Sequence, residues 1–203
     1  MNVKGFLFDL GNVLIDFDHR IAAEKISFSS QLGKDDIFNL FFESELTEAF
    51  EEGKISPEDF FSAIKNQLSL TVDYSQFVKI WNEIFFVSEK NKKCLDLVVA
   101  IKKKFPVVMI SNINILHYKF IEDQFKIFSY FDRVILSYEE KSRKPKREIY
   151  SVAESFLNAD PQEIIYADDR IDLVESARHI GYNAFVFKDV DGFKNESFVN
   201  QIL

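Results

Sequence analysis

Four short stretches of this 203-residue chain carry side chains suited to chemistry. They are Asp9 just before Gly11-Asn12, the pair Ser111-Asn112, Arg143-Lys144-Pro145, and Asp168-Asp169. Each has an ordinary structural role when taken singly: an Asp before Gly-Asn forms turns, a Ser caps helices, a Lys before Pro faces solvent, and paired acids decorate loops. Together they describe something more specific. Two or three carboxylates at one point repel unless a cation joins them, and oxygen ligands with few nitrogens favour Mg²⁺ over zinc. A nearby Lys and Ser offer positive charge and hydrogen-bond donors for a phosphoryl group. The combination suits phosphoryl transfer through an aspartyl nucleophile.

These residues must be brought together by the elements that precede them. Val3 to Ile15 is a nearly unbroken apolar run with one carboxylate, Asp9, where the run gives way to Gly11-Asn12. Such a run reads as a strand buried on both faces, as in a parallel sheet, with Asp9 at its carboxyl end. Pro106–Ile110, Arg133–Leu136, Glu163–Ala167 and Asn183–Phe187 read as further strands. Helices fit between them: one striped by Cys94, Leu97, Val98 and Ile101, one from Arg147 to about Asn158, and one striped by Leu173, Val174, Ala177 and Ile180 and closed by Gly181. Strands alternating with helices predict an α/β fold with a doubly wound parallel sheet, whose ligands bind at the carboxyl edge of the strands. The polar groups above all fall at that edge.

Residues from about 19 to 87 have helical periodicity and no strand signal. Ser56-Pro57-Glu58-Asp59 marks a helix start, followed by a face of Phe60, Phe61, Ile64 and Leu68. Tyr74, Phe77, Val78, Trp81, Ile84 and Phe85 repeat the pattern, and Gly53 separates these from a preceding helix holding Phe38, Phe41, Phe42, Leu46 and Phe50. The predicted organisation is a core of residues 1–15 and 88–203, with an all-helical insertion of 16–87. The insertion is acidic: residues 16–87 hold fourteen Asp and Glu against six Lys and Arg, so the rest of the chain, with nineteen of each, is neutral and the net charge of −8 lies wholly in the insertion.

Composition excludes several classes. With 47% hydrophobic and 29% charged residues the chain is globular, and no segment reaches the roughly 18 apolar residues of a membrane span. Twenty-three Phe against six Gly suggest aromatic-rich packing with few loops, not a stacking platform for nucleic acid. A single cysteine, Cys94, leaves no intrachain disulfide or cysteine-rich metal site. A cytoplasmic protein with no nucleic-acid partner and no membrane association is expected. His19, His117 and His179 lack metal-ligand spacing and are assigned no chemistry.

The ordered set Phe-Asp9-Leu-Gly-Asn-Val, Ile-Ser111-Asn, Arg-Lys144-Pro-x-x-x-Ile-Tyr and Asp168-Asp169 resembles the four motifs of the haloacid dehalogenase superfamily over nearly the whole chain. The helical insertion after the first motif resembles the cap of its phosphoglucomutase and dehalogenase-like branch, and the Phe-Asp-Leu-Gly-Asn-Val form resembles a bacterial group that includes α-D-glucose-1-phosphate phosphatases. The resemblance implies a Mg²⁺-dependent phosphatase of a small phosphomonoester, a sugar phosphate by preference, working through an aspartyl phosphate. Asp9 would be nucleophile and metal ligand. Ser111 and the amide of Asn112 would hold phosphate oxygens, and Lys144 would neutralise phosphate and orient Asp9. Asp168, Asp169 and the carbonyl of Gly11 would complete the metal site. Asp172 is a further candidate beside that site, with a solvated helix face as its alternative.

Two departures from the family pattern matter. The general acid expected two residues after the nucleophile is Gly11, and the glycine common before Arg-Lys-Pro is replaced in Glu140-Lys141-Ser142. Asp16 and Asp18, where the chain leaves for the insertion, could reach back toward substrate, or could serve as hinge and helix cap. Lacking an acid, the site should favour anomeric sugar phosphates, whose leaving oxygen is the weaker base. Two other readings stay open: a metal-independent 2-haloacid dehalogenase, against which the clustered Asp168-Asp169 argues, and a non-catalytic binding protein, against which the intact Asp9, Ser111 and Lys144 argue.

Overall fold

The computed structural model describes residues 2–42, 44–196 and 199–202. Its centre is a five-stranded parallel sheet in the order β5-β4-β1-β6-β7. Strand β1 is Gly5–Phe8, β4 is Val107–Ser111, β5 is Arg133–Leu136, β6 is Ile164–Asp168 and β7 is Asn183–Val186. The middle place of β1 follows from its sequence. Phe6 and Phe8 point to one face and Leu7 to the other, all fully buried, so the strand needs cover on both sides.

That cover comes from two helical layers. On the Phe6/Phe8 face lie α6 (Glu89–Lys102), α7 (Ile115–Phe125) and α11 (Val190–Asn195), which contribute Cys94, Val98, Ile121 and Phe193 to the core. On the Leu7 face lie α9 (Arg147–Leu157) and α10 (Ile171–Ile180), with Ile149, Tyr150, Val174 and Ala177. A short helix, α8 (Ser137–Glu140), follows β5. The doubly wound α/β architecture expected from the alternating runs is present. No helix among the described residues is long and apolar enough to cross a membrane.

Between β1 and α6 the chain forms α1 (His19–Ser27), α2 (Lys34–Phe42), α3 (Glu45–Glu51), α4 (Pro57–Leu68) and α5 (Tyr74–Asn82). Ser56 caps α4 through its side chain, and Asp73 with Gln76 makes a capping box on α5. The single helix expected across Phe38 to Phe50 is in fact two, because the Ser44 hydroxyl accepts from the Thr47 amide and starts α3 afresh. The side chains of Phe41 and Phe42 lie outside the described residues. These helices close on their own aromatic cluster: Phe50 stacks on Phe60 at 4.3 Å between ring centroids, and Trp81 meets Phe60 edge-on at 5.1 Å.

The segment is also not helical throughout. Asp16–Phe17 (β2) pairs antiparallel with Phe85–Phe86 (β3), forming a two-stranded ribbon where the chain leaves and re-enters the core. Two residues are too few to show a period of two, so no strand pattern is visible there. The ribbon and the separate aromatic cluster support our proposal that residues 16–87 form a cap domain on a core of 1–15 and 88–203.

Candidate active site

Strands β4 and β6 flank β1, and all three run the same way. Phe8 lies level with Met109 on one side and Ala167 on the other, so the next positions along put Asp9 between β4 and Asp168, and the Asp9 amide donates to the Ala167 carbonyl at 2.8 Å. Lys144 arrives from the loop after β5 and α8. Its Nζ lies 2.5 Å from Asp9 Oδ1 and 2.7 Å from Asp168 Oδ2, with the lysine 2% exposed. Asp169 completes the group. One carboxylate oxygen from each of Asp9, Asp168 and Asp169 falls within 4.8 Å of the others.

Each charged group is held by a neighbour. Asn112 clamps the Lys144 backbone from both sides: its Nδ2 donates to the Lys144 carbonyl at 3.0 Å, and its Oδ1 accepts from the Lys144 amide at 2.8 Å. Asp168 accepts from the Tyr166 hydroxyl and, at 2.9 Å, from the Arg170 amide. Asn12, in the left-handed region at φ 52°, turns the chain after β1 and donates Nδ2 to Asp169 at 3.0 Å. Ser111 and Gly11 line the same cavity, which has a volume of about 380 Å³.

The charge balance is unfavourable without a further cation. Burial raises the Asp9 carboxyl to about 7; Lys144 opposes this, while Asp168 and Asp169 reinforce it. Burial also raises Asp169, against its hydrogen bond from Asn12. Asp168 goes the other way, because Lys144 and the hydrogen bonds from Tyr166 and Arg170 outweigh its burial. Burial works to discharge Lys144, but Asp168 and Asp9 outweigh it and hold the ammonium above its ordinary value. Two buried carboxylates and one half-buried one share one ammonium, and two of the three lean toward taking up a proton. An oxygen-only cluster with surplus negative charge fits Mg²⁺.

The outer wall comes mainly from the cap. α3 supplies Thr47, Glu48 and Glu51, and Phe17 of β2 and Phe38 of α2 add rings. Arg143, next to Lys144, reaches across to pair with Glu48 and, at 3.3 Å, with Glu51. More contacts pin this corner of the cap to the core. Ser137 Oγ donates to the Glu51 carbonyl at 2.6 Å, Lys141 Nζ donates to the Gly53 carbonyl at 2.8 Å, and Lys146 pairs with Glu52. A Cβ on Gly53 would come within 2.3 Å of the Tyr138 carbonyl oxygen. Lys141 itself takes the turn where glycine is common, at φ 54°.

The remaining candidates are engaged elsewhere. Asp16 receives Lys90 at 2.9 Å and Asn91 Nδ2 at 3.1 Å, and despite partial burial these bonds hold its carboxyl below the ordinary value. Asp18 caps α1 by accepting from the Arg20 amide. Asp172 pairs with Arg170 at 2.6 Å on an exposed face. His117 is a core histidine: its Nε2 lies 3.1 Å from the Trp81 carbonyl and its Nδ1 3.1 Å from Asn114 Nδ2, and burial lowers it to about 3. His19 also lines the cavity and burial lowers it to about 4.

Sequence reading assigns no side-chain partner to Asn12 or Arg143, and it missed Tyr166, Glu48, Glu51 and Phe17. Two of these had a usable signal. Tyr166 lies two residues before Asp168 on one strand and therefore on the same face, and Glu48 and Glu51 share a helix face at a spacing of three.

Comparison with known proteins gives the family. The family description "haloacid dehalogenase-like hydrolase" matches residues 3–181. A D-ribitol-5-phosphate phosphatase of Bacteroides thetaiotaomicron is 22% identical over 189 residues, which is 90% of this chain and 91% of that one. A sesquiterpene phosphatase of Aspergillus oryzae is 24% identical over 179 residues, 88% of this chain and 86% of its own. Among solved structures, a Bacteroides thetaiotaomicron enzyme complexed with magnesium and inorganic phosphate superposes with a TM-score of 0.79 at 28% identity, covering 92% of this chain and 95% of that one.

Proposed function

The chain belongs to the haloacid dehalogenase-like hydrolase family and is a phosphomonoester hydrolase that uses Mg²⁺, and from this premise we propose that its substrate is a small sugar or polyol phosphate attacked by Asp9. The observation that carries this reading is the meeting of three carboxylates and one buried lysine at the carboxyl ends of three adjacent parallel strands.

In this proposal Asp9, Asp168 and Asp169, with the Gly11 carbonyl, hold Mg²⁺. Held there, the metal would supply positive charge to the phosphoryl pocket. Lys144 fixes the Asp9 carboxylate by its 2.5 Å contact, so that the attacking oxygen does not rotate away, and adds its own charge to the phosphoryl pocket. Ser111 Oγ and the Asn112 amide bind the remaining phosphate oxygens. Asn112 also keeps the Lys144 backbone in place through its paired hydrogen bonds. Asp9 displaces the alcohol, and water then hydrolyses the aspartyl phosphate.

The polar cap wall supports a hydroxyl-bearing substrate. A hydrocarbon body would take water away from Glu48, Glu51 and Arg143 and offer them no hydrogen bond in return. The acidic cap disfavours polyanions, so a monophosphate on a neutral polar body fits best and nucleic acid does not. The test is a panel of hexose 1-phosphates, hexose 6-phosphates, pentitol phosphates and isoprenoid phosphates assayed with Mg²⁺ and with a chelator. Metal-dependent turnover led by the sugar or polyol phosphates is expected. Preference for isoprenoid phosphates would overturn the substrate assignment, and turnover in the chelator would overturn the metal site.

A further inference from the structure

We propose that Glu51, carried by the cap, is the proton donor and acceptor that Gly11 does not supply. This rests on the aspartyl-phosphate reading above and adds one catalytic residue to it. The place where a residue-11 side chain would begin is taken: a Cβ there would lie 2.7 Å from Phe17 Cε1. Asp16, Asp18 and Asp172 are bound to Lys90 and Asn91, to the α1 amide and to Arg170. His19 and His117 stay neutral, so neither is an acid at ordinary pH. Beyond the three carboxylates around Lys144, only Glu48 and Glu51 remain among the acids of the described residues that line the cavity.

These two differ in environment. The Glu48 side chain is 58% exposed and closely paired with Arg143. The Glu51 side chain is 21% exposed. Its Oε2 has only the looser 3.3 Å contact with Arg143, and its Oε1 has no hydrogen bond among the described residues. Burial raises its carboxyl above the ordinary value; Arg143 opposes this, Glu48 reinforces it, and Arg170 and Lys144 are near enough to oppose it too. Glu51 thus has the enclosure of a general acid, and a carboxyl raised in the direction such an acid needs. It is also fixed in place, because its own carbonyl receives the Ser137 hydroxyl and the next turn is locked at Gly53.

The proton balance closes over two steps. As an Asp9 oxygen bonds to phosphorus, the bond from phosphorus to the substrate oxygen breaks, and that oxygen takes the Glu51 carboxyl proton to leave as an alcohol. Water then attacks phosphorus, giving a proton to the Glu51 carboxylate. The bond from phosphorus to Asp9 breaks, Asp9 regains its carboxylate, and inorganic phosphate departs. Glu51 ends protonated as it began. The handicap of a poor leaving group is thereby removed, and a primary alkyl phosphate such as a pentitol phosphate becomes as suitable as an anomeric one.

The test is first-turnover kinetics with enzyme in excess, comparing Glu51→Gln with the wild type. The substrates are p-nitrophenyl phosphate, whose leaving group needs no proton, and ribitol 5-phosphate or glucose 6-phosphate, whichever the wild type cleaves faster. The variant should release nitrophenolate at near the wild-type rate and release the alcohol ~10²–10⁴-fold more slowly. With excess p-nitrophenyl phosphate it should give a burst of one nitrophenolate per enzyme, then stall, because the phosphoenzyme also needs the base. Equal losses on the two substrates, or no loss on either, overturn the assignment. If circular dichroism shows Glu51→Gln unfolded, the same comparison with Glu51→Asp decides it: slowed alcohol release with nitrophenolate spared supports the role, and equal effects overturn it. A wild type that forms no phosphoenzyme with either substrate sinks the Asp9 reading itself and this inference with it.

Discussion

The carboxyl edge of the sheet and the aromatic centre of the cap are both buried, yet they are held by opposite means. At the edge, Asp9, Asp168, Asp169 and Lys144 are fixed by charge and directional hydrogen bonds, with Asn12, Asn112 and Tyr166 behind them. In the cap, Phe50, Phe60, Phe77 and Trp81 interlock with hardly a charge among them. Dispersion and burial tolerate small shifts in position, whereas a charged group is either compensated or very costly. The comparison teaches that the chemistry can stay fixed while the cap changes, provided the corner at Glu51 and Gly53 still meets the core.

The largest expected effect breaks the edge without touching the cap. Asp9→Asn should lower turnover by ~10⁴-fold or more, since a neutral amide does not attack phosphorus, with the circular dichroism spectrum unchanged. More than a trace of metal-dependent activity in an undeamidated sample would remove Asp9 from the nucleophile's role. Next in size is a matched pair. Lys144→Met leaves buried carboxylates uncompensated and should cost about 3–5 kcal/mol in denaturant unfolding. Phe60→Ala empties the cap cluster and should cost a similar ~3–5 kcal/mol. The two should differ in rescue: added Mg²⁺ should recover much of the loss for Lys144→Met and none of the specific loss for Phe60→Ala. Equal response to Mg²⁺ would mean that the two regions are not held as differently as described.

A smaller effect sharpens the border between them. Gly11→Asp should fail to improve activity and should cost about 1–3 kcal/mol, because its Cβ meets the Phe17 ring. Gly11→Asp combined with Phe17→Ala should relieve that overpacking; a single variant as stable as wild type would show that the ring yields freely. The smallest effect concerns pH. Burial holds His117 at about 3 in the folded chain against an ordinary 6.5, so the unfolded chain binds the proton more readily between these values. Its contribution is complete above pH 6.5 and is lost as pH falls toward 3, at up to about 1.4 kcal/mol per pH unit. His19, held at about 4, acts in the same direction. His117→Gln should flatten stability against pH below 6.5, and an unchanged slope would place the acid sensitivity elsewhere.

Much of this was readable beforehand, for physical reasons. Central parallel strands are buried on both faces, so Gly5–Phe8, Val107–Ser111 and Ile164–Asp168 appear as apolar runs, and the polar residue that ends each run sits at the shared edge. The helices of the cap showed their inner faces through Phe60, Ile64 and Leu68. Periodicity does not say which outward acids meet a distant loop. Glu48 and Glu51 turn to the cavity because Ser137, Lys141 and Arg143, more than 80 residues away in sequence, draw α3 down. The break at Ser44 escaped notice because a serine inside an apolar pattern stops a helix only when its hydroxyl finds an amide, which is a property of the folded backbone.

The ribbon of Asp16–Phe17 and Phe85–Phe86 has a consequence for protein engineering. Paired antiparallel positions lie about 5 Å apart, so everything between the two strands enters and leaves through a doorway one strand wide. A two-residue Asn-Gly link from Phe17 to Phe85 has the geometry to shut that doorway as a hairpin. What remains would keep Asp9, Ser111, Lys144, Asp168 and Asp169 on an open shelf, reachable by a phosphorylated side chain on the surface of another protein. If residues 16–87 are the cap we propose, substrate size is set by a module whose chain joins the core through this one ribbon, and it can be exchanged as one cassette without cutting any strand of the five-stranded sheet, provided the contacts at Glu51 and Gly53 are kept.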